Sequence, residues 1–190
     1  MRTRTRPARA RWRIACGVAG VAAATFAASS GVASAGNLQI NQEVQQQNQW
    51  CWAASGLTIA KFLGKSTSQN EFCNMARNRT AGSQCPNQPG YLEWAQTAFR
   101  KLGISAGTVG GPMAFTAIKA EIDGNRPIET GIYWTAGGGH AQVIYGYSGT
   151  STIAYGDPWP SSPRYSEMSA GSYTSNGQFR WGQALYRVGA

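Results

Sequence analysis

The residue type best suited to proton transfer occurs once in this chain. Among 190 residues there is one histidine, His140, which lies in the segment Gly-Gly-Gly-His-Ala at 137–141. Histidine moves protons near neutral pH because its ordinary pKa lies close to that range. The best nucleophile for it to serve is Cys51, in the segment Gln-Trp-Cys-Trp-Ala-Ala-Ser at 49–55. The two residues are about ninety positions apart, so any joint chemistry requires a tertiary site.

A cysteine acts as a nucleophile through its thiolate, and a free thiol with a pKa of about 8.5 is mostly protonated at neutral pH. Two environments lower that pKa, namely the N-terminus of a helix and a neighbouring imidazolium. Apolar residues at helical spacing after Cys51 predict a helix over residues 51–63, with Cys51 in its first turn. In this arrangement His140 holds the thiol proton and later delivers it to a leaving group.

A catalytic histidine needs an acceptor that orients its second ring nitrogen. Asp157 follows His140 by seventeen residues, and the segments 141–147 and 152–155 between them are predicted strands. An antiparallel hairpin of these strands would bring His140 and Asp157 side by side. A tetrahedral intermediate also needs a donor for its oxyanion, commonly a backbone N–H together with a side-chain amide. Several glutamines upstream of Cys51 offer such an amide: Gln45, Gln46, Gln47 and Gln49.

The other elements follow from hydrophobic periodicity and turn residues. Two more helices are predicted over residues 91–102 and 112–122, each with a glycine close after its end. Further strands are predicted over 127–134, 178–181 and 184–188. Helices precede strands, which indicates an α+β fold and not an alternating βαβ order. About 155 residues follow residue 35, so we expect one domain over residues 36–190.

The N-terminal segment has the layout of a secretory signal peptide. Six arginines lie between Arg2 and Arg13, an uncharged run rich in alanine, valine and glycine covers residues 14–26, and Ala-Ser-Ala occupies 33–35. A basic head, a short apolar run and an A-x-A end predict cleavage after Ala35 and export. The apolar run is shorter than the roughly 20 residues that span a bilayer. We therefore expect a secreted protein without stable membrane insertion.

Three cysteines follow the predicted cleavage site: Cys51, Cys73 and Cys85. An odd number in an oxidising compartment leaves one thiol unpaired or paired between chains. Cys73 and Cys85 are twelve residues apart in polar sequence and can close a short loop, which leaves Cys51 free. Such a disulfide contributes about 3 kcal/mol in the chain-entropy model. A zinc site from these cysteines and His140 lacks a close pair of ligands, so we expect neither a metal nor another cofactor.

The charge balance after residue 35 argues against a nucleic-acid partner. Of 17 Lys and Arg residues, six precede that point, which leaves eleven against eight Asp and Glu and a net charge of about +3. The remaining basic residues are scattered, with no run longer than two, as is typical of a solvated surface. We expect a monomer that acts on a protein or peptide substrate.

Several of these motifs occur in a specific order. A glutamine lies about six residues before a Cys-Trp-Ala-Ala helix start, and a later Gly-His opens a strand that ends in Gly-Tyr and is followed by Gly-Asp-Pro. In this order the chain resembles the papain-like cysteine peptidases, specifically the AvrRpt2-type group and its relatives among the bacteriocin-processing peptidases. The resemblance covers residues 45 to about 158. It implies an N-terminal helical half that carries the nucleophile and a C-terminal antiparallel sheet.

The resemblance also implies roles for single residues. Cys51 is then the nucleophile, His140 the general base and Asp157 the orienting residue. Gln45 is the implied oxyanion donor, with Gln46 as the competing choice. Two departures from papain are visible, because no pro-segment of papain length fits between residue 36 and the nucleophile, and an aspartate stands where papain has an asparagine. The aspartate matches the smaller relatives.

The function that these features predict is peptide-bond hydrolysis by a secreted cysteine endopeptidase. The same triad would serve an amidase, an isopeptidase or a transpeptidase, because the acyl-enzyme is common to all of them. A different class is a secreted binding module that holds its ligand on some of the seven tryptophans and eight tyrosines. Among the tryptophans, we expect Trp52 and Trp94 in the core and Trp50 and Trp159 against substrate. We also expect Trp159 to shield the His140 hydrogen bond from water.

Overall fold

The computed structural model describes residues 35–190. The predicted signal peptide therefore lies outside the described residues, apart from Ala35 at its end. No helix within residues 35–190 combines the length and the apolar character needed to cross a membrane.

The chain forms most of its helices before most of its strands, as the α+β prediction requires. The helices are α1 (Cys51–Phe62), α2 (Gln69–Ala76), α3 (Leu92–Lys101), α4 (Phe115–Asp123) and α5 (Ala170–Thr174). The strands are β1 (Gly36–Asn37), β2 (Ala106–Gly110), β3 (Ile128–Trp134), β4 (Gly139–Ser148), β5 (Thr152–Gly156), β6 (Tyr165–Ser169) and β7 (Phe179–Val188). The α+β class is confirmed.

The described strands form one antiparallel sheet. Its order is β2-β7-β3-β4-β5-β6, and the short β1 pairs with the end of β4. The predicted hairpin is β4 with β5, in which Val143 is the partner of Gly156. A second hairpin, β3 with β4, pairs Ile132 with His140. These two hairpins bring the start of β4 next to the end of β5.

Helix α1 lies in the centre of the molecule. Every residue from Trp52 to Ala60 is buried, because α1 packs against β3 and β4 and also against α2 and α3. A helix that is apolar and small-sided on all faces is suited to such a position. Gly64 follows the helix with a φ of +78°, a left-handed conformation that glycine adopts without strain, and so the helix ends where the sequence predicted.

The short elements β1, β2, β6 and α5 were not predicted from the sequence, and two further segments also differ from the predictions. The polar segment around Cys73 is helix α2 and not a loop, because the Ser68 hydroxyl caps the helix by accepting the Glu71 N–H at 3.1 Å. The Ser-x-x-Glu spacing is typical of a helix start, but it was overlooked because the segment is polar and lacks a clear apolar face. The last two predicted strands form the single strand β7. Gly182 has no partner on β3 and makes a bulge, so the strand continues through it.

Candidate active site

Cys51 is the first residue of the central helix α1. The residue before it, Trp50, makes no side-chain hydrogen bond that would cap the helix. The first N–H groups of a helix have no intrahelical acceptor, so the N–H of Cys51 points out of the helix start without one. The Cys51 side chain is partly exposed, and it is the free thiol within residues 35–190. A thiol at such a position lies beside the positive end of the helix dipole.

His140 and Asp157 meet where the two hairpins come together. His140 is the second residue of β4, and Asp157 directly follows the last residue of β5. The His140 Nε2 atom lies 2.8 Å from Asp157 Oδ1, and both side chains are largely buried. Because Nε2 is occupied by the carboxylate, Nδ1 is the ring nitrogen left for Cys51. The Cys51 thiol lies close enough to this imidazole to favour its charged form.

The surroundings of His140 favour its charged form. Burial lowers the pKa of His140, but hydrogen bonds and charge at Asp157 and Cys51 outweigh it and raise that pKa from 6.5 to about 9. For Asp157, burial raises the pKa, and the contacts with His140, the Trp159 N–H and Gln142 outweigh it, so the pKa lies below its ordinary value. The arrangement therefore stabilises an imidazolium between a carboxylate and the sulfur.

Asp157 is held by more than the histidine. The Trp159 N–H donates to Oδ1 at 2.8 Å, and the Gln142 amide donates to Oδ2 at 2.8 Å. The Arg164 guanidinium donates to the main-chain carbonyl of Asp157. Sequence reasoning missed Gln142, although a signal existed. Gln142 follows His140 by two residues on the same strand, and such residues lie on one face.

Two tryptophans flank the imidazole. The Trp134 ring is stacked on His140, with centroids 6.0 Å apart and an interplanar angle of 25°. The Trp159 ring meets His140 edge to face at 6.4 Å and is 40% exposed. Trp134 was not singled out from the sequence. It could have been predicted from the pairing of β3 with β4, because that pairing brings the end of β3 beside His140.

An open cavity of about 690 Å³ joins these residues. Its wall contains three of the predicted residues, Cys51, His140 and Asp157, and also Trp159. Apart from Cys51, His140 and Asp157, the lining side chains carry no charge. The remaining wall is aromatic, glycine-rich or amide-bearing, and includes Tyr91, Tyr133, Trp134, Gly137, Gly138, Gly139, Asn48, Gln49 and Gln183.

The glutamine expected to bind the oxyanion lies in the segment before α1. Gln45 is buried, its backbone N–H donates to the Pro158 carbonyl at 2.9 Å, and its amide donates to the Gln47 carbonyl at 2.8 Å. Gln45 lines a smaller cavity of about 350 Å³, which Trp159 also borders. The competing Gln46 is exposed. Neither glutamine lines the cavity of Cys51.

The tryptophans that bracket Cys51 are part of the core. Trp50, expected against substrate, is 1% exposed, and its indole N–H donates to the Pro86 carbonyl at 3.1 Å. It lines neither cavity, so that expectation was wrong. The helix start turns this ring inward, because α1 is buried on all sides. Trp52 is buried as expected, although its ring borders the larger cavity, and it packs edge to face on Trp94.

The structure contains a disulfide between Cys73 of α2 and Cys85. Both cysteines are buried in the core. The loop that follows Cys85 accepts the indole hydrogen bonds of Trp50 and Trp52, at the Pro86 and Gln88 carbonyls. The disulfide therefore fixes the segment against which the start of α1 is packed.

One buried acid near the thiol was not anticipated. Glu129 of β3 is fully buried, and neither of its carboxyl oxygens has a hydrogen-bond partner among the described residues. Burial, with a smaller contribution from charge at Cys51, raises the pKa of Glu129 well above its ordinary value. The surroundings of Glu129 therefore disfavour its charged form. Sequence inspection gave no sign of it, because a lone glutamate in a strand is usually exposed.

The fold and this pair of a helix-borne thiol and a sheet-borne imidazole define the class of papain-like cysteine peptidases. The family described as papain-like cysteine protease AvrRpt2 matches residues 32–178. The chain belongs to this family and is a cysteine peptidase. The resemblance inferred from the sequence motifs is thereby confirmed.

Solved structures of similar fold include two peptidase domains. One is the peptidase domain of Streptococcus ComA, a bi-functional ABC transporter involved in a quorum-sensing pathway, with 20% identity, a TM-score of 0.59 and coverage of 80% of this chain and 98% of that chain. The other is a double glycine motif protease from an AMS/PCAT transporter in complex with its leader peptide, with 16% identity, a TM-score of 0.50 and coverage of 80% and 93%. No curated protein matches the chain significantly. At these identities, the two structures support the fold.

Proposed function

We propose that this cysteine peptidase is a secreted endopeptidase that acts through an acyl-enzyme on Cys51. The thiolate of Cys51 attacks the carbonyl carbon of the scissile peptide bond, while His140 carries the proton. His140 then gives this proton to the leaving amine, and the C–N bond breaks. A water molecule attacks the thioester, with His140 now accepting its proton. The carboxylic acid product leaves and the thiolate is restored.

The observation that carries this proposal is the position of His140. Its ring lies between the Asp157 carboxylate at 2.8 Å and the Cys51 thiol, inside a cavity large enough for a peptide segment. An imidazole held on both sides is the arrangement that a thiolate nucleophile and a proton carrier require. Asp157 serves as the orienting residue.

For the oxyanion, we assign the Cys51 N–H and the amide of Gln45. The helix start leaves the first donor without an intrahelical acceptor. Gln45 is favoured over Gln46 because its side chain is buried and held, whereas Gln46 is exposed. One hydrogen of the Gln45 amide is bonded to Gln47, so the second is the one available to an oxyanion.

The lining of the cavity supports an uncharged peptide segment around the scissile bond. Its aromatic and glycine residues offer apolar contact and open main chain, and the lining groups with charge near neutral pH are those of the triad, Cys51, His140 and Asp157. A charged side chain of a substrate would lose water there without gaining a partner. We assign Trp159 to this wall and to shielding of the His140–Asp157 hydrogen bond, because its ring packs edge to face on the imidazole.

Export and the domain limits belong to the same proposal. Cleavage after Ala35 would leave a mature domain of residues 36–190, and the first strand begins at Gly36. The buried disulfide supports an oxidising destination, where such bonds persist. The experiment for this part is N-terminal sequencing of the protein recovered from culture medium, with Gly36 as the expected first residue.

The activity is tested with the purified mature protein on a library of uncharged and charged peptides. Hydrolysis by the wild type and none by a folded Cys51→Ala variant is the expected result. An active Cys51→Ala variant would remove Cys51 as the nucleophile. Added amines distinguish hydrolysis from acyl transfer, because transfer yields a new amide product. Alkylation of Cys51 at mildly acidic pH separates an enzyme from a binding module, in which an ordinary thiol would be protonated and slow to react.

A further inference from the structure

We propose that Gln142 and Tyr173 are positioning residues of the peptidase, which fix the Asp157 carboxylate from the side opposite His140. The proposal deepens the function given above and rests on it. Its consequence is that the short helix α5, which lies far along the chain from the nucleophile and carries Tyr173, forms part of the catalytic apparatus.

The proposal stands on an unbroken chain of hydrogen bonds. The Gln142 amide nitrogen donates to Asp157 Oδ2 at 2.8 Å. The Tyr173 hydroxyl donates to the Gln142 amide oxygen at 2.9 Å. Behind it, Thr130 Oγ1 lies 2.7 Å from the Tyr173 hydroxyl oxygen and 3.3 Å from the Gln142 carbonyl. Strands β3 and β4 and helix α5 thus converge on one carboxylate.

The polarity of this chain is determined by its first member. An ionised carboxylate only accepts hydrogen bonds, so the nitrogen of the Gln142 amide must face Asp157 and its oxygen must face Tyr173. Tyr173 therefore donates toward Gln142 and accepts from Thr130. A reversed amide would place its oxygen against the Asp157 carboxylate, so that two acceptors would face each other, and would leave Tyr173 without an acceptor at Gln142. Each member thus holds the next in one orientation.

Burial makes this orientation rigid. Thr130 and Tyr173 are fully buried and Gln142 is 3% exposed, so no bulk water competes for their polar atoms. The Tyr173 ring is enclosed by Phe179 and Trp181, with centroids 5.6 and 5.5 Å away. The hydroxyl therefore has little freedom to leave the Gln142 amide oxygen.

The effect on catalysis follows from the two oxygens of Asp157. Oδ1 is shared by His140 and the Trp159 N–H, whereas Oδ2 has the Gln142 amide. Without that donor the carboxylate is free to turn about its side-chain bond, and the imidazole loses a fixed direction toward the thiol. The donor also favours the ionised carboxylate, so its loss raises the pKa of Asp157.

The test compares Gln142→Met and Tyr173→Phe with the wild type. Methionine keeps the length of the glutamine without its polar atoms, and phenylalanine removes one hydroxyl. We expect kcat to fall between about tenfold and 100-fold for Gln142→Met, with KM changed less than twofold. The acid limb of the pH profile should move to higher pH. Tyr173→Phe should also lower kcat and move the acid limb to higher pH, in each case by less than Gln142→Met does.

The matched control is Tyr155→Phe. The Tyr155 ring packs against Tyr173 at 5.1 Å, but its hydroxyl is not a member of the hydrogen-bond chain from Thr130 to Asp157. Its kcat and acid limb should stay within twofold of the wild type. The proposal is overturned by wild-type kcat and pH profile in folded Gln142→Met and Tyr173→Phe, or by an equal loss in Tyr155→Phe, which would indicate general loosening of the α5 region.

The Gln142→Glu variant distinguishes a positioning role from a purely structural one, because only a positioning role predicts a changed pH dependence of activity. At acidic pH the new carboxyl group is protonated and donates to Asp157 while accepting from Tyr173, so activity should approach the wild-type level. As pH rises, two ionised carboxylates would face each other, and activity should fall while the wild type stays active. A pH profile parallel to that of the wild type contradicts the proposal.

A spectroscopic readout keeps this test separate from the peptidase assay. His140 is the one histidine of the chain, so the downfield NMR signal of its Nε2–H, bonded to Asp157, needs no assignment. We expect this signal in the wild type and its broadening or loss in Gln142→Met. An unchanged signal overturns the positioning role. Absence of hydrolysis by the wild type refutes the proposed function instead, whatever this signal shows.

Discussion

Two successive substitutions, Cys51→Ala and then Asp157→Asn, should each lower the pKa of His140 by a measurable amount. That pKa is raised from 6.5 to about 9, a difference of about 2.5 units, and each unit corresponds to about 1.4 kcal/mol. The charged imidazolium is therefore favoured by about 3 kcal/mol relative to an exposed histidine. Burial opposes this preference, and Asp157 and Cys51 together supply it.

The two steps separate these contributions. Cys51→Ala removes the thiol, so the pKa of His140 should fall below about 9. Asp157→Asn then removes the carboxylate charge while it keeps the size of the side chain, so burial remains as the main influence and the pKa should fall below 6.5. The measurement is an NMR titration of the ring protons of the single histidine. The Cys51→Ala background also prevents self-digestion.

Stability should follow the same titration. A folded-state pKa above the unfolded value adds stability that is present in full below pH 6.5 and is lost as pH rises through the folded pKa. In Cys51→Ala, the free energy of unfolding in urea should therefore fall with pH in that window, with a slope of at most about 1.4 kcal/mol per unit. The double variant should lack the part of this slope that His140 contributes. A His140 pKa near 6.5 in all three proteins would refute the charge argument.

Three further perturbations probe other parts of the structure. Glu129→Gln should reduce the loss of stability with rising pH, because burial raises the pKa of Glu129, and the contribution of this group is present below the ordinary carboxyl pKa and lost as pH rises through the raised value. Urea unfolding at pH 5 and pH 8 compares the two proteins, and an unchanged pH dependence would show that Glu129 is not the source. Trp159→Ala should reduce turnover by exposing the His140–Asp157 hydrogen bond to water, whereas unaltered steady-state kinetics would exclude a shielding role. Replacing Cys73 and Cys85 by serine should lower the free energy of unfolding by about 3 kcal/mol, measured by urea denaturation with tryptophan fluorescence, and a loss below about 1 kcal/mol would contradict the chain-entropy argument.

The spacing of apolar residues along the sequence was sufficient to predict those helices and strands that bury one continuous apolar stripe. The helical spacing after Cys51 predicted α1 to within one residue of its end at Phe62, and the turn between 147 and 152 predicted the β4–β5 hairpin that brings Asp157 to His140. Segments with polar or short patterns were missed, as α2 and the two-residue strand β1 illustrate. Their stability comes from a cap and from pairing with distant strands, which no short window of sequence contains.

The candidate site shows the same division. Cys51, His140 and Asp157 carry rare residue types in a recognisable order, so sequence alone singled them out. Gln142 and Tyr173 are common residues, and their importance depends on which face of the sheet they share. The inward turn of Trp50 could not be foreseen either. It follows from burial of α1 on all sides, and the number of layers around a helix is decided by the whole chain.

The two sulfur chemistries of this molecule place opposite demands on its surroundings. The nucleophile must stay reduced, whereas the bond between Cys73 and Cys85 must stay oxidised. The protein separates them by access, because Cys51 is partly exposed and the paired sulfurs are almost completely enclosed by the core. Exchange requires an attacking thiolate to reach the disulfide sulfur. A dilute reductant can therefore reduce an oxidised Cys51 while the cross-link survives.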